Sequence, residues 1–208
     1  MSDPIAVAHD KQPRRNRREL TIFGALALLI IGLDQLTKYW AQQYLLPRRL
    51  SGEEPIELLG GFLKFTYTEN TGAAFSIGTG ITWLFTLIAV GVVVVIFRYA
   101  RRLGSLWWAL ALGGLLGGSL GNLIDRMFRS PGPFEGSVVD FIQLPYWAIF
   151  NIADMAVVIS GIGLAILLVR GVPLDGKPEM ADSQVESDLW FVSSQSLKVL
   201  RGSGSTSR

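Results

Sequence analysis

The segment "FNIADMAVVISGIGLAILLVRG", residues 150–171, is apolar enough to cross a membrane, yet it carries Asn151 and Asp154 in its first turn. About 20 apolar residues span the hydrocarbon layer of a bilayer. An Asp at the centre of such a helix disfavours insertion by roughly 2.5–3.5 kcal/mol, and by less near an end. Because a partner or a function must offset that cost, the segment predicts a membrane helix with a polar site at one end.

The composition of the whole chain agrees with this prediction. Half of the 208 residues are hydrophobic, and the mean hydropathy is +0.37, which is typical of integral membrane proteins. Four apolar stretches approach the length of a membrane span, at about 20–40, 81–99, 103–124 and 147–169. We therefore predict an all-α membrane protein, a four-helix transmembrane bundle over residues 20–170, with a basic tail (1–19) and a polar, disordered tail (171–208).

Charge asymmetry predicts how the bundle is oriented. The basic run "KQPRRNRR" (11–18) precedes the first span, and the loop "FRYARRLG" (97–104) has three Arg and no acid. Lys and Arg favour the cytoplasmic side, so both termini are expected in the cytoplasm of a multi-pass protein, with the acidic loops outside. The first span is not expected to be a cleaved signal peptide, because it is too long and lacks a small-residue cleavage site.

The residues between the first two spans predict a small sheet. In the loop 45–80, "GGFLKFTYTENTGAAFSIG" (60–78) alternates partly between apolar and polar residues and is rich in glycine. This pattern favours short strands, so we expect a small extracytoplasmic β-sheet between helices 1 and 2, shaped as a cradle on the outer surface. In the C-terminal tail, "DLWFVSSQSLKVL" (188–200) is able to form an amphipathic helix at the bilayer surface.

Several kinds of chemistry are excluded by the residue inventory. The chain has no cysteine, and its single histidine, His9, lies in the polar N-terminal tail. Disulfides, a zinc protease site, a Ser-His triad and haem ligation are therefore not expected. We predict no metal, no cofactor and no nucleic-acid partner.

The third span contains a pattern that favours close helix packing. Gly113, Gly117 and Gly121 recur every four residues, as do Gly114 and Gly118. Small residues at this spacing let two helices approach closely in lipid. We interpret them as a packing surface and not as a chemical site.

Polar residues cluster at the ends of three spans. "GNLIDR" and "FNIAD" each set an Asn three residues before an Asp, which places Asn122 with Asp125, and Asn151 with Asp154, on one helical face. In "DQLTK", Asp34 and Lys38 are four residues apart and are predicted to form an ion pair.

The Asp residues also suggest a reaction. Asp34, Asp125, Asp140 and Asp154 are expected at one membrane depth, where only three cations, Lys38, Arg126 and Arg129, are available to match them. Two carboxylates held close together share a proton, and such a pair hydrolyses peptide bonds. From the residues alone the symmetric pair of Asp125 and Asp154 is favoured, and a purely structural network of Asn and Asp side chains remains an alternative.

Five motifs together resemble a known family. "DQLTKYW", "ENTGAAFS", "GNLIDR", "VVDF" and "FNIAD" occur in the order and spacing of lipoprotein signal peptidase, also called signal peptidase II, from about Leu20 to Val169. The resemblance implies an aspartic endopeptidase of the bacterial cytoplasmic (inner) membrane, active near the outer face, and we expect the chain to act as a monomer. Its substrates would be prolipoproteins with a diacylglyceryl group on the lipobox cysteine, cut before that cysteine among the membrane lipids.

The resemblance also implies roles for individual residues. The catalytic pair becomes Asp140 and Asp154, in place of Asp125 and Asp154. Asp125 and Arg126 are then expected to be supports, paired with each other. The residues that hold the substrate or orient the catalytic pair are Asn70, Asn122, Arg126 and Asn151, and the structural polar residues are Asp34, Lys38 and Asp125.

Three other functions are compatible with parts of the sequence. Asp and Asn residues within spans also mark ion-coupled transporters, although this chain has no repeated half. A structural scaffold would use the same polar pairs to hold its helices together. A Ser-Lys hydrolase would need Lys38 beside Ser119, whereas Asp34 already accounts for Lys38.

Overall fold

The computed structural model describes residues 17–72 and 82–176. This part of the chain contains four helices, α1 (Arg17–Leu50), α2 (Thr82–Ala100), α3 (Leu106–Phe128) and α4 (Ile152–Val169). It also contains three strands, β1 (Ile56–Leu58), β2 (Leu63–Asn70) and β3 (Val138–Gln143). All four helices are long and apolar enough to cross a membrane, which confirms the predicted four-span bundle with a small sheet.

Helix α3 is the centre of the bundle. More than half of its most apolar stretch, 56%, is buried inside the protein, against 17% for each of the other three helices. Its glycines make this possible: a Cβ added to Gly117 would lie 2.9 Å from the carbonyl oxygen of Ala27, and one added to Gly118 would lie 2.5 Å from that of Ala153. The small-residue pattern therefore does mark the surfaces on which α1 and α4 pack.

Two helix boundaries differ clearly from the prediction. Helix α1 continues to Leu50, ten residues beyond its predicted end, because Ala41 and Leu45 are buried against the sheet. With 34 residues it is about 50 Å long, whereas the hydrocarbon layer is about 30 Å thick. Helix α4 begins only at Ile152, because the residues before it form a turn and Phe150 pairs with Ile142 of β3.

The sheet is antiparallel, with strand order β1-β2-β3. The prediction placed it between helices 1 and 2, which is incomplete, because β3 comes from the connection between α3 and α4. Residues Val138 to Phe141 are all buried, so this strand lacks the alternation by which strands are recognised in a sequence. The sheet packs on α1 through Trp40, whose ring meets those of Phe65 and Phe141 edge-on, at 5.7 and 6.2 Å between centroids.

The described chain continues for several residues beyond α4. The indole Nε1 of Trp108 donates a hydrogen bond to the carbonyl oxygen of Val172 (2.8 Å), and the carbonyl oxygen of Leu174 accepts from the amides of Gly104 and Ser105. The remainder of the predicted polar tail, including residues 188–200, lies outside the described residues. So do residues 1–16, with most of the basic tail, and residues 73–81 of the outer loop.

Substituting Gly118 with Ala tests the packing of α3. The added methyl group would collide with the backbone of Ala153, so we expect Gly118→Ala to destabilise the protein by about 1–3 kcal/mol. Gly161→Ala is the matched control, because no atom lies within 4 Å of the Cβ position at Gly161. Thermal unfolding in detergent measures both variants. Equal melting temperatures for the two would contradict the close α3–α4 contact.

Candidate active site

The side-chain amino group of Lys38 lies at the centre of the polar residues. It is fully buried and lies 2.8 Å from Asp34 Oδ2, 2.8 Å from Asp125 Oδ2 and 2.9 Å from Asn122 Oδ1. The predicted Asp34–Lys38 pair is therefore confirmed. A Lys ammonium has three N–H donors, and these three acceptors use all of them. Ser119 is not among its partners, which argues against a Ser-Lys hydrolase.

Asp34 connects this centre to the start of α4. Its Oδ1 accepts a hydrogen bond from the backbone amide of Ala153 at 2.9 Å, while Oδ2 faces Lys38. That amide belongs to the first turn of α4, where backbone N–H groups have no partner within the helix. The carboxylate on α1 thus fixes the height at which α4 begins.

The side chain of Asn122 is oriented by its neighbours. Its Oδ1 accepts hydrogen bonds from Lys38 Nζ and, at 3.2 Å, from the side-chain Nδ2 of Asn151. The Nδ2 of Asn122 therefore points to Asp154 and donates to Asp154 Oδ1 at 2.7 Å. Because an ammonium group cannot accept a hydrogen bond, Lys38 fixes which side of the Asn122 amide faces Asp154.

Asn151 is the residue that contacts both Asp140 and Asp154. It lies at the N-cap of α4, just before the first turn in which the sequence placed it, and forms a capping box with Asp154. Its side-chain Oδ1 accepts a hydrogen bond from the backbone amide of Asp154 at 2.9 Å, and the backbone amide of Asn151 donates to Asp154 Oδ2 at 3.2 Å. Its Nδ2 donates to Asp140 Oδ1 at 2.6 Å.

Asp140 lies on β3, opposite Thr68 of β2, and its side chain is buried. Asn70, two residues further along β2, donates from Nδ2 to Asp140 Oδ2 at 3.0 Å. Burial, and next the negative charge of Asp154, raise the pKa of Asp140 to about 6, against the opposing effect of the Asn70 and Asn151 amides. The carboxyl group therefore holds a proton more readily than an exposed Asp.

A cavity of about 270 Å³ opens beside Asp140. Besides Asp140, its lining residues are Thr68, Glu69, Asn70, Thr71, Ala148 and Ile149. The lining combines hydroxyl, amide and carboxylate groups with apolar side chains. Such a lining suits an extended peptide that needs both hydrogen bonds and apolar contact.

Arg126 is buried next to the acidic residues. Its guanidinium lies 5.9 Å from the centre of the Phe85 ring and interacts electrostatically with Asp140, Asp125 and Asp154. Within residues 17–72 and 82–176, its buried Nη1 has no hydrogen-bond partner. A buried donor without a partner costs about 1–3 kcal/mol, so the site gains when a ligand supplies an acceptor.

The expected pairing of Asp125 with Arg126 is wrong. The ion partners of Asp125 are Lys38 and Arg129, whose Nε lies 2.7 Å from Asp125 Oδ1. Consecutive residues on a helix point in different directions, whereas residues four apart share a face. The four-residue spacing of Asp125 and Arg129 was therefore the feature of the sequence that indicated this ion pair.

Gln35 is a further member of the polar cluster that was not predicted. Its Nε2 donates to Asp34 Oδ2 (3.1 Å), to the carbonyl oxygen of Gly121 (3.1 Å) and to Asp125 Oδ1 (3.3 Å), which ties α1 to α3. Gln35 follows Asp34 directly and has no distinctive spacing, so no sequence signal marked it. Among the described residues, no cluster of His, Asp and Glu is arranged to hold a metal ion.

Comparison with known proteins identifies the family. The family model described as signal peptidase (SPase) II matches residues 26–170. The chain is 48% identical over 163 residues to the lipoprotein signal peptidase of Mycobacterium tuberculosis, covering 78% of this chain and 76% of that protein. It is 49% identical over 162 residues to the lipoprotein signal peptidase of Streptomyces coelicolor, covering 78% and 77%.

A solved structure shares the fold. It is a bacterial membrane enzyme determined by the in meso method at 1.9 Å resolution, with a TM-score of 0.59 and 28% sequence identity, covering 74% of this chain and 93% of that one. The segment 26–170 that matches the family model contains the sheet and the polar residues described above. The chain belongs to the signal peptidase II family and is a membrane peptidase.

Proposed function

We propose that this protein removes signal peptides from diacylglyceryl-modified prolipoproteins by cutting before the lipidated cysteine, with Asp140 and Asp154 as the catalytic pair. The observation that carries the proposal is the position of Asn151, which contacts both carboxyl groups. The side-chain Nδ2 of Asn151 donates to Asp140 and its backbone amide donates to Asp154, so one residue holds both carboxyl groups, and Asp140 also lines the cavity of about 270 Å³.

The surroundings of Asp125 support choosing Asp140 as the partner of Asp154. Asp125 has two cations, Lys38 and Arg129, and its Oδ2 also accepts from the amide of Val139. A carboxylate whose oxygens are already engaged by two cations and a backbone amide suits a structural support. Within the described chain Asp140 forms no ion pair, and its raised pKa suits a group that carries a proton.

The proposed reaction uses one proton shared by the pair. Asp140, protonated, donates a hydrogen bond to the carbonyl oxygen of the scissile bond. Asp154, ionised at the N-terminus of α4, takes a proton from a water molecule, whose oxygen attacks the carbonyl carbon. The C–N bond then breaks, and the leaving nitrogen takes a proton from the pair. Water is the nucleophile, so the step needs neither a metal nor a cofactor.

The remaining polar residues bind and orient in this proposal. The unpaired Nη1 of Arg126 binds a substrate carbonyl, and Asn70 and Asn151 hold Asp140. Asn122 orients Asp154, while Asp34, Lys38 and Asp125 form the structural support.

The bundle suits an apolar substrate. A groove of about 520 Å³ between α2, α3 and α4 is lined almost entirely by aliphatic and aromatic side chains, including Val95, Leu115 and Leu164. A signal peptide is itself an apolar helix, and its diacylglyceryl group belongs among the membrane lipids. Such a substrate enters sideways from the bilayer.

The proposed location is the bacterial cytoplasmic membrane, with both termini in the cytoplasm and the site at the outer face. Arg98, Arg101 and Arg102 lie at the end of the bundle opposite to the sheet, which agrees with the positive-inside tendency. Residues 20–170 form the catalytic unit, and the stretches before and after it are tails. A transporter is less compatible, since the carboxylates gather at one end of the bundle.

Replacing either catalytic Asp tests the pair. We expect Asp140→Asn and Asp154→Asn each to lower kcat by about 10²–10⁴-fold, because an amide cannot transfer the proton. Cleavage of a diacylglyceryl-modified prolipoprotein in nanodiscs measures the effect. Asp125→Asn is the comparison variant, and it should retain part of the activity.

The results of this series separate the hypotheses. Loss with Asp125→Asn but not with Asp140→Asn would favour the symmetric pair. Near-normal activity of Asp154→Asn would favour a structural network. No cleavage by well-folded wild-type protein, together with ion flux in liposomes, would favour the transporter.

The pH dependence of cleavage tests which residue carries the proton. Asp140 is protonated below its pKa of about 6, so kcat/KM should fall as the pH rises through about 6. In nanodiscs, the kcat/KM profile should therefore show an alkaline limb near pH 6. A profile that instead rises through pH 6 would make Asp140 the base.

Two substitutions of Asn151 separate helix capping from positioning. Asn151→Ser keeps an N-cap acceptor but lacks the longer amide group whose Nδ2 reaches Asp140, whereas Asn151→Ala loses both functions. We expect the melting temperature of the Ser variant to stay near wild type while kcat falls, and the Ala variant to lose about 1 kcal/mol of stability as well. Full activity of Asn151→Ser would show that its contact with Asp140 is dispensable.

A further inference from the structure

One end of the sheet carries a cluster of exposed apolar side chains. Two turns meet there: residues 58–62 connect β1 to β2, and residues 144–149 follow β3. We call these two turns together the sheet tip. Leu58 pairs with Leu63 and Lys64 pairs with Gln143, which places both turns at the same end of the sheet. The large exposed side chains of the sheet tip are Leu58, Leu59, Phe62, Tyr146 and Trp147.

The exposure of these side chains is extreme for a water-facing loop. Leu59 is 78% exposed, Trp147 is 69% exposed and Tyr146 is fully exposed. Neither turn contains a charged residue. Contiguous apolar surface of this kind marks a surface that contacts a partner or a membrane.

The backbone holds two of these side chains outward in an unfavourable conformation. Leu59 has φ of 53° and Tyr146 has φ of 60°, in the left-handed region that costs non-glycine residues about 1–2 kcal/mol. Both side chains are exposed, so packing within the chain does not offset this cost. A contact outside the chain would offset it.

The position of the sheet tip indicates what that contact is. Phe65, three residues after the turn 58–62, touches Trp40 of α1, and the neighbouring Tyr39 and Tyr44 are 60% and 64% exposed. Trp and Tyr concentrate where a membrane helix crosses the boundary between hydrocarbon and water. The sheet tip therefore lies beside the part of α1 that has the side chains of that boundary.

We infer that the sheet tip inserts into the headgroup region of the same membrane that the helices span. The sheet packs on α1 beside these exposed Tyr side chains, so the bilayer that surrounds α1 also reaches the sheet tip. Directly behind the tip, Glu57 and Lys64 form an exposed ion pair, at the level where polar headgroups can solvate it. The insertion anchors the strands that carry Asn70 and Asp140, independently of the proposed reaction.

Spin labels provide a direct test, because the natural chain has no cysteine. We would label Leu59→Cys and Trp147→Cys with a nitroxide and reconstitute each in vesicles of phosphatidylethanolamine and phosphatidylglycerol. Glu54→Cys, exposed at the opposite end of β1, is the control. We expect the ratio of oxygen to aqueous nickel accessibility to be several-fold higher at 59 and 147 than at 54.

A second variant strengthens the test. Adding Trp147→Asp to Leu59→Cys should lower the ratio at 59 towards that at 54, while the melting temperature reports folding. Ratios at 59 and 147 equal to that at 54 in the single variants would overturn the inference. Dipolar broadening between labels on different copies, together with low accessibility to both oxygen and nickel, would also overturn it, because a second copy of this chain would then cover the sheet tip. Neither measurement uses cleavage, so failure here leaves the proposed peptidase mechanism unaffected.

Discussion

The buried ammonium group of Lys38 is the interaction on which the other polar contacts depend. An isolated charge inside a membrane protein is costly, but this one has two carboxylates and an amide oxygen within 2.9 Å. Asp34 also accepts a hydrogen bond from the backbone amide of Ala153 in α4, and Asp125 accepts one from the backbone amide of Val139 in β3. Removing one partner of such a cluster leaves an uncompensated charge, which costs about 3–5 kcal/mol.

Close packing of the helices and this cluster require each other. A Cβ at Gly121 would lie 2.7 Å from Asp34 Oδ2, so a larger residue there would displace the carboxylate from Lys38. The glycines of α3 bring α1 and α4 near enough for short side chains such as Asp and Asn to bridge them. The ionic contacts, in turn, fix the rotation of each helix, which apolar packing in lipid leaves loosely specified.

The spacing of residues along the chain made the membrane spans and part of the polar cluster predictable from the sequence. Apolar runs indicated the spans, and the separation of Asp34 from Lys38 and of Asn151 from Asp154 indicated shared faces. The bridges between Asn122 and Asn151, and between Asn70 and Asp140, join residues distant in the chain, so no spacing rule reveals them. The strand at residues 138–143 was not predicted, because a strand buried on both faces lacks alternation. Only the family resemblance moved the prediction from Asp125 to Asp140.

The polar start of α4 has a structural explanation even before any reaction is considered. Asn151 and Asp154 cap the helix and satisfy backbone N–H groups that would otherwise remain unpaired. Asp140 is different, because it neither caps a helix nor forms an ion pair within the described chain. The buried cations stabilise Asp34 and Asp125, while Asp140 is held by neutral amides beside a cavity. A group whose protonation must change during a reaction needs this kind of surrounding, since a directly bound cation would keep it permanently ionised.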